Sequence, residues 1–443
     1  MSHHVKDGLI LFNSPLYHDS TDDGEDYLPP LGLGYIATQL NDSGLPSKII
    51  DCVYERLGVS DIVRIINSGS FSNIGFNVFS VNMDLIHEIL SQITRFVHIF
   101  IGGKATEYVW QEIVSWKISN SITFIIGEGE LIIPALLDNS CLERPIWTDG
   151  YNCVYQVSCS SCYYPSDLDT VHVDRALFSG REIQNKYGHL EACIVTSRGC
   201  IYDCAFCGGA RSANPNITVR VRSKENILHE ISEILSLTPK VSSIRVLDDL
   251  FLQNRQSIKT ACSIFETYTT LHWRCMAHVN SFRNNLDLLP QLKSSNCDEV
   301  FVGIESGSNK IRQRINKLGS VSDVISVITA LLQAGINVKG YFICGFPSET
   351  TSQMLETQSL ATELKQIANA TPAKFQATAF QFRPYHGTRL YNELFNEQSV
   401  SPHYINSNNL VSAKRQYNFS VDNYSATDDD ILTRCIKDIN THF

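Results

Sequence analysis

The sequence predicts an α/β protein in which a doubly wound parallel sheet precedes a partial (β/α)6 barrel and a short carboxy-terminal extension. Two observations predict this class. Short apolar runs alternate with stretches of helical periodicity through most of the 443 residues, a pattern typical of parallel sheets covered by helices. The alternation weakens between residues 141 and 190, which divides the chain into two units joined by a linker.

The first unit covers residues 1–140. Five apolar runs predict its strands, and stretches between them, such as 84–95, have helical periodicity. In a doubly wound sheet, the loops at the carboxyl ends of the strands bind ligands. The predicted strands are 8–13, 48–53, 73–79, 97–101 and 122–126.

Several of the predicted loops in this unit are rich in glycine. Gly102 and Gly103 follow the fourth apolar run, and the string Gly127-Glu128-Gly129-Glu130 follows the fifth. Gly32 and Gly34 lie in an earlier segment, PPLGLGY. A tight turn alone explains a glycine at a strand end, so these residues by themselves leave a ligand-binding role open.

The second unit covers residues 191–395 and contains six further apolar runs, each followed by a loop or a helical stretch. Six such βα units predict a partial barrel. The remaining residues, 396–443, are too few for a separate domain. The predicted strands are 192–196, 243–248, 272–276, 298–304, 337–343 and 374–382, and the predicted helices are 224–237, 255–269, 285–294, 321–334 and 350–367.

The loop after the first strand of the second unit carries the strongest chemical signal. Residues 196–211 read TSRGCIYDCAFCGGAR, which places Cys200, Cys204 and Cys207 in the spacing C-x3-C-x2-C. Three thiolates so close together can ligate three irons of a [4Fe–4S] cluster and leave the fourth open, where ordinary clusters take four cysteines. The alternatives are three buried thiols without a metal and a zinc site. Zinc requires a fourth ligand and usually shows paired C-x2-C spacings.

With Phe206 as the aromatic residue before the third cysteine, the loop resembles the signature of the radical S-adenosylmethionine (SAM) superfamily. The resemblance implies that SAM chelates the open iron and is reductively cleaved to a 5′-deoxyadenosyl radical. It also implies an electron donor such as flavodoxin or ferredoxin.

Three further strand ends match the radical SAM family by position. The strings are Leu247-Asp248-Asp249, Gly303-Ile304-Glu305-Ser306-Gly307 and Gly345-Phe346-Pro347. Alternatives exist, since paired aspartates also cap helices and an arginine on a helix is often only solvated. The resemblance implies that Asp248 and Asp249 bind the SAM ammonium, that Glu305 and Gly307 bind the ribose, that Arg312 pairs with the SAM carboxylate, and that Gly345 and Pro347 lie beside the adenine.

The first unit resembles the Rossmann-like cobalamin-binding domain that precedes the barrel in many radical SAM enzymes. The resemblance rests on PPLGLGY, SGSFSNIGF, IGGKATE and IGEGE, and it implies that these loops cradle the corrin ring. The chain departs from the broader cobalamin pattern because it lacks D-x-H-x-x-G; the nearest string, Asp84 to His87, has the wrong spacing. The implied cobalamin residues are Gly32, Gly34, Gly102, Gly103, Gly127, Glu128, Gly129 and Glu130.

The linker contains four cysteines, Cys141, Cys153, Cys159 and Cys162. The pair Cys159-Ser-Ser-Cys162 has the C-x2-C spacing of redox-active thiols and of ligands to a second cluster. The other two are irregularly spaced, so ordinary linker thiols are the alternative.

Composition excludes several classes of function. The net charge of −10 argues against a nucleic-acid-binding surface, because phosphate binding requires a basic face. No apolar stretch reaches the roughly 18 residues of a membrane helix. Most of the 14 cysteines stand singly in apolar runs, as in reduced cytosolic enzymes. We therefore expect a cytoplasmic, oxygen-sensitive protein.

Three functions follow from these expectations. The leading one is a radical SAM enzyme that methylates an unactivated carbon of a small-molecule substrate through methylcobalamin. The second keeps the radical step but performs a rearrangement, cyclisation or oxidation without methyl transfer. The third is a non-catalytic iron–sulfur or cobalamin-binding regulatory module. A methylthiotransferase is disfavoured because the first unit contains only Cys52, too few thiols for another cluster.

Overall fold

A computed structural model describes residues 8–14, 27–395, 420 and 422–441. Parts of the first unit and most of residues 396–421, within the predicted extension, lie outside the described residues. No helix in the described ranges is both long and apolar enough to cross a membrane.

The first unit contains a seven-stranded sheet in the order β2-β1-β3-β4-β5-β7-β6, in which only β6 runs antiparallel to its neighbour. Among the residues that the structure describes, five helices connect the strands. The strands are β1 (Leu9–Asn13), β2 (Ser47–Asp51), β3 (Asn73–Asn77), β4 (His98–Gly102), β5 (Ile122–Ile126), β6 (Trp147–Thr148) and β7 (Cys153–Gln156), and the helices are α1 (Leu31–Asp42), α2 (Val59–Ser68), α3 (Met83–Ser91), α4 (Thr106–Ser115) and α5 (Ile132–Leu137).

The central strands of this sheet are apolar throughout because helices cover both faces. In β1, Leu9 and Leu11 pack into the core on one face, whereas Ile10 and Phe12 pack into the core on the other. A continuous apolar run is therefore required, and this is the pattern that predicted the strands.

The structure differs from the prediction in the segment 141–190, which is not a free linker. Its strands β6 and β7 extend the first sheet, with Val154 fully buried. A further short strand, β8 (Ile183–Gln184), pairs with the barrel sheet. These strands are too short to give a periodic pattern, which explains why the sequence did not predict them.

The second unit is a curled half-barrel whose strands follow the order β8-β9-β12-β13-β14-β15-β16. Its six parallel strands lie close to the predicted ones. They are β9 (Leu190–Ile194), β12 (Ser243–Val246), β13 (His272–Ala277), β14 (Cys297–Glu305), β15 (Asn337–Cys344) and β16 (Phe375–Gln381). Between β9 and β12 in the chain, β10 (Ser197–Arg198) and β11 (Arg220–Val221) form a separate two-stranded antiparallel sheet.

Eight helices of the described residues belong to this unit, and a ninth belongs to the carboxy-terminal extension. The helix predicted to end at 269 ends at Phe265, and the first part of the helix predicted from 285 is a 3-10 turn, Leu286–Leu288. The helices are α6 (Lys224–Leu237), α7 (Arg255–Phe265), α8 (Val279–Arg283), α9 (Leu289–Ser294), α10 (Asn309–Arg314), α11 (Val321–Gln333), α12 (Thr351–Asn369), α13 (Arg389–Phe395) and α14 (Asp429–Thr441).

The two faces of the barrel sheet have opposite character. Ile244 and Val246 pack under the outer helices, whereas charged side chains occupy the inner face. The guanidinium of Arg274 is fully buried there and binds the carboxylates of Glu191 and Glu299. At the open edge of the sheet, the side chain of Asn440 in α14 bonds both the N–H and the carbonyl of Ala379 in β16, which protects an otherwise unpaired strand.

Candidate functional site

The cysteine loop begins directly after β9 and is closed by the β10–β11 pair. Gly199 has φ +86° and lies against the backbone of Thr218 and Val219. The loop therefore leaves β10 in a left-handed backbone conformation, which favours glycine. On the other side, the Ala205 N–H donates to the Ile315 carbonyl at 2.9 Å. The loop is therefore fixed at both its base and its middle.

The three predicted cluster ligands are brought together on this loop. Cys204 is buried and Cys200 and Cys207 are half-buried, and all three are free thiols. Burial raises the pKa of each thiol, that of Cys207 to about 12. The thiolate forms therefore require a nearby positive charge, which a bound metal cluster supplies.

The arrangement of the sulfur atoms suits a cluster better than a single ion. In the described residues, the three sulfurs do not all lie within 4.8 Å of one another, whereas two thiolates on one tetrahedral zinc are roughly 4 Å apart. Amide groups already point at two of them: the Tyr202 N–H lies 3.5 Å from Cys200 Sγ and the Gly209 N–H 3.3 Å from Cys207 Sγ. Such bonds to sulfur tune cluster potentials, so the loop fits a [4Fe–4S] cluster.

Asp248 and Asp249 point in different directions. Asp248 is fully buried and accepts hydrogen bonds from the Thr196 N–H (2.6 Å), the Thr196 hydroxyl (2.5 Å) and the Ser197 hydroxyl (2.7 Å). Asp249 is exposed and faces Gly209 of the cysteine loop. The role predicted for Asp248 is thus corrected: its carboxylate holds the start of the cysteine loop, and Asp249 is the carboxylate of the pair that a ligand can reach.

Glu305 occupies a strained position at the end of β14. Its φ is +66°, which is uncommon for a residue with a side chain, and a register irregularity separates it from Gly303. Its carboxylate accepts a 3.0 Å hydrogen bond from the buried Lys317 ammonium. A Cβ on Gly303 would lie 2.3 Å from the Glu305 carboxylate, so the glycine provides the space for this ion pair.

Lys317 is a site residue that the sequence analysis missed. Burial lowers the pKa of its ammonium, but the charges of Glu305 and Cys204 outweigh that effect and raise the pKa overall. A lysine twelve positions after a strand end ordinarily indicates a solvated surface, so no pattern in the sequence marks it.

Gly307 and Arg312 make close contacts within the fold that the sequence did not predict. A Cβ on Gly307 would lie 2.4 Å from the Glu356 carbonyl of α12, so this glycine allows a helix to approach. The Arg312 guanidinium donates to the carbonyls of Ile304, Leu318 (3.0 Å) and Gly319 (2.8 Å). Through these bonds Arg312 braces the turn that carries Lys317, and its pairing with the SAM carboxylate stays a prediction.

The Gly345-Phe346-Pro347 loop contacts the cysteine loop through aromatic packing. The ring of Phe206 meets that of Phe346 edge-to-face at 5.6 Å. Gly345 has φ +90°, and its N–H and that of Phe346 donate to the Glu349 carboxylate at 2.6 and 3.1 Å. The Glu349 carboxylate therefore fixes the backbone conformation of the loop.

Glu349 gives the structure a pH dependence that can be tested. Burial raises the pKa of its carboxyl to about 7, although the two N–H bonds oppose the shift. The folded state holds this proton more tightly than the unfolded state, so the protonated carboxyl adds about 3 kcal/mol to the free energy of unfolding below about pH 4.5. This contribution is lost as the pH rises from about 4.5 to about 7. We expect the loss in thermal midpoint between pH 5 and 8 to be smaller in Glu349→Gln than in the wild type. Equal losses in both proteins would contradict this assignment.

A cavity of about 1390 Å³ lies between the carboxyl edge of the first sheet and the mouth of the half-barrel. On the barrel side it is lined by Val195 and Arg198 before the cysteine loop, by Leu247 and by Tyr341. No histidine lines it among the described residues, and His87 instead stacks on Trp116 at 4.4 Å. Seven of the eight predicted cobalamin residues line the opposite wall: Gly32, Gly102, Gly103, Gly127, Glu128, Gly129 and Glu130.

The glycines of this wall serve two different purposes. Cβ atoms on Gly103 and Gly127, which have φ +108° and +93°, would lie 2.5 Å from the Val78 carbonyl and 2.3 Å from the Val157 carbonyl, so the turns themselves require these glycines. A Cβ on Gly32 would meet nothing within 4 Å. The space beside Gly32 is therefore open for a large, flat ligand, which fits cobalamin.

Gly34, the eighth predicted residue, does not line the cavity. A Cβ there would lie 2.5 Å from the ring of Phe178, so this glycine lets α1 pack against the segment 171–178. The prediction of a cofactor contact for Gly34 is replaced by a packing role.

Glu128 and Glu130 join the two units. Arg220 binds the Glu128 carboxylate with both terminal nitrogens, one at 2.9 Å, and Arg198 binds Glu128 at 3.1 Å and also Glu130. Both arginines belong to the strands that close the cysteine loop. These buried ion pairs connect the glycine-rich loop of the first sheet directly to the cysteine loop.

In the part of the chain that the structure describes, the paired linker thiols lie at the surface and belong to no single-ion site. Cys159 and Cys162 are exposed, and Cys159 lies 2.9 Å from the Asn216 carbonyl. No group of three thiols close enough to share one ion includes them. A redox role for this pair stays a prediction.

Comparison with known proteins identifies the two units. The sequence model of the Radical SAM superfamily matches residues 194–361, and that of the B12 binding domain matches residues 21–137. The chain is 27% identical to an uncharacterized methyltransferase of Pyrococcus horikoshii, over 82% of this chain and 78% of that protein.

Solved structures share the fold. The radical SAM methyltransferase TsrM from Kitasatospora setae, solved with cobalamin and a [4Fe–4S] cluster, superimposes with a TM-score of 0.62 at 15% identity and covers 88% of this chain and 78% of its own. The cobalamin-dependent radical enzyme OxsB, solved with aqua-cobalamin and SAM, gives 0.61 at 18% identity over 80% of this chain. Our chain spans about half, 52%, of OxsB.

The protein is a radical SAM enzyme. More narrowly, it is of the cobalamin-dependent type, with a B12 binding domain ahead of the radical SAM domain, and its cofactors are a [4Fe–4S] cluster, SAM and cobalamin. The predicted fold class and cofactors are confirmed.

Proposed function

We propose that the protein methylates an unactivated carbon of a small molecule through cobalamin. The observation that carries this proposal is the single cavity that reaches from Gly32 and the other glycines of the first sheet to Val195, Arg198 and Leu247 beside the cysteine loop. When bound, the cluster and SAM supply a 5′-deoxyadenosyl radical and cobalamin supplies a transferable methyl group. A substrate in a shared cavity is held close to both, which is the main contribution a protein makes to such chemistry.

Individual residues have distinct proposed roles. Cys200, Cys204 and Cys207 hold the cluster, with Phe206 packed on the Gly345–Pro347 loop. Asp249, exposed beside Gly209, accepts hydrogen bonds from the SAM ammonium. Glu305 accepts hydrogen bonds from the ribose and is positioned by Lys317 at 3.0 Å.

Other residues hold these groups in position. Asp248 fixes the start of the cysteine loop, and Arg312 braces the turn that carries Lys317. The pairs of Arg198 and Arg220 with Glu128 hold the two walls of the cavity together. A flavodoxin or ferredoxin electron donor, the cytoplasmic location and the absence of a nucleic-acid partner stay predictions.

The test follows the methyl group of SAM. Anaerobically reconstituted protein is supplied with cobalamin, a strong reductant and SAM carrying a labelled methyl group. We expect deoxyadenosine release, label on the bound cobalamin, and transfer of label to a small molecule in an extract. Deoxyadenosine without labelled cobalamin would favour the non-methylating rearrangement, cyclisation or oxidation. Absence of deoxyadenosine would favour a regulatory module.

A further inference from the structure

Two histidines and an aspartate meet at the end of the barrel opposite the cysteine loop. His189 directly precedes β9, His272 is the first residue of β13 and Asp298 is the second residue of β14. Because the strands are parallel, their amino ends lie at one edge of the sheet. This edge is remote from the carboxyl edge that carries catalytic groups in barrels of this type.

The three side chains lie within the distances of ligands to one metal ion. The His272 Nδ1 atom is 2.9 Å from Asp298 Oδ1, and the His189 Nε2 atom is 3.6 Å from Asp298 Oδ2. One ligand atom from each residue falls within 4.8 Å of the others. The imidazole rings stack with centroids 4.0 Å apart.

Asp298 provides an independent sign of a missing ligand. Its Oδ2 atom is buried and has no hydrogen-bond partner among the described residues, and a buried carboxylate oxygen without a partner is costly. The sheet also has an irregularity here: Trp273 pairs with Cys297, but Arg274 pairs with Glu299, so Asp298 is an extra residue. Such bulges redirect a side chain, and this one turns Asp298 toward His272.

The surroundings of His189 suit metal binding. Burial lowers the pKa of His189, and so do the neighbouring His272 and Arg274. The carboxylates of Asp298 and Glu191 raise it, but the net shift is downward. The neutral imidazole is the form that binds metals. The second ring nitrogen of His189 lies 3.4 Å from the Ser242 hydroxyl, an outer partner of the kind that orients metal-bound histidines.

We propose that His189, His272 and Asp298 form a binding site for one divalent transition-metal ion of the zinc type. Two imidazoles and one carboxylate are a common zinc ligand set, with water completing the tetrahedron. The ion connects the amino ends of β9, β13 and β14. Its role is to stabilise the barrel, since none of the three ligands lines the shared cavity.

The test uses zinc with the full chain carrying its reconstituted cluster. After treatment with a chelating resin, addition of Zn²⁺ and desalting, we expect one zinc per wild-type chain. His272→Ala and Asp298→Asn should each lose that zinc while their iron and sulfide contents stay unchanged. His172→Ala is the matched control, because His172 forms an exposed histidine–aspartate pair, 3.7 Å from Asp42.

Thermal unfolding gives a second measurement. At a hundredfold excess over its Kd, Zn²⁺ should raise the midpoint by about 3 °C in the wild type and in His172→Ala, but not in the two site variants. Zinc binding that persists in both site variants would overturn the proposal. Zinc binding that is lost in the double variant Cys159→Ser/Cys162→Ser would also overturn it, because the linker thiols would then be the ligands. So would the absence of stoichiometric zinc from the wild type.

Discussion

Replacing Cys204 with alanine is expected to abolish cluster retention and all deoxyadenosine formation. Cys204 is the most buried of the three ligands, and the charges of Lys317 and Glu305 both act on its thiol. With only Cys200 and Cys207 left, the loop offers two thiolates where a cluster with one open iron requires three. Iron and sulfide content and deoxyadenosine release measure the two losses separately.

The control for this variant is Cys193→Ala. Cys193 is also buried, at the same barrel edge in β9, but it packs in an apolar cluster rather than on the loop. We expect this variant to keep its iron and to form deoxyadenosine close to the wild-type level. A Cys204→Ala protein that still forms deoxyadenosine would contradict the assignment of the cluster ligands.

The sequence predicted the parts of the fold and site that depend on local patterns. Apolar runs located the parallel strands because helices bury both faces of each sheet. The cysteine spacing located the loop because all of its ligands lie within eight residues, from Cys200 to Cys207. The short strands β6, β7 and β8 have too few residues to show a period, and so they were assigned to a linker.

The roles of single polar residues were harder to predict because they depend on contacts across the fold. Asp248 binds Thr196, 52 positions away, and Arg220 binds Glu128, 92 positions away. The guanidinium of Arg312 turns inward to backbone carbonyls, although its position on a short helix is equally compatible with a ligand contact. Motif position therefore located these residues near the site without establishing which group each one binds.

The proposal that cobalamin occupies the cavity can be tested at Gly32, which borders open space. Gly32→Phe adds a ring to the cavity wall, and since a Cβ there meets nothing within 4 Å, the fold should tolerate it. We expect cobalamin retention to fall about tenfold or more, because a ring in the space that the ligand needs acts like overpacking. The cysteine loop is untouched, so iron content and deoxyadenosine release should stay near the wild-type level.

Gln39→Phe is the matched control for Gly32→Phe, since Gln39 lies two turns further along the same helix and outside the cavity wall. Equal cobalamin retention in Gly32→Phe and Gln39→Phe would show that cobalamin does not lie against α1. Loss of deoxyadenosine together with cobalamin would show instead that the two cofactor sites are coupled, with the ion pairs of Arg198 and Arg220 to Glu128 as the connection. Retained deoxyadenosine with lost methyl transfer is the result that the proposed function requires, because it separates the radical step at the cysteine loop from the methyl carrier at the glycine-rich edge.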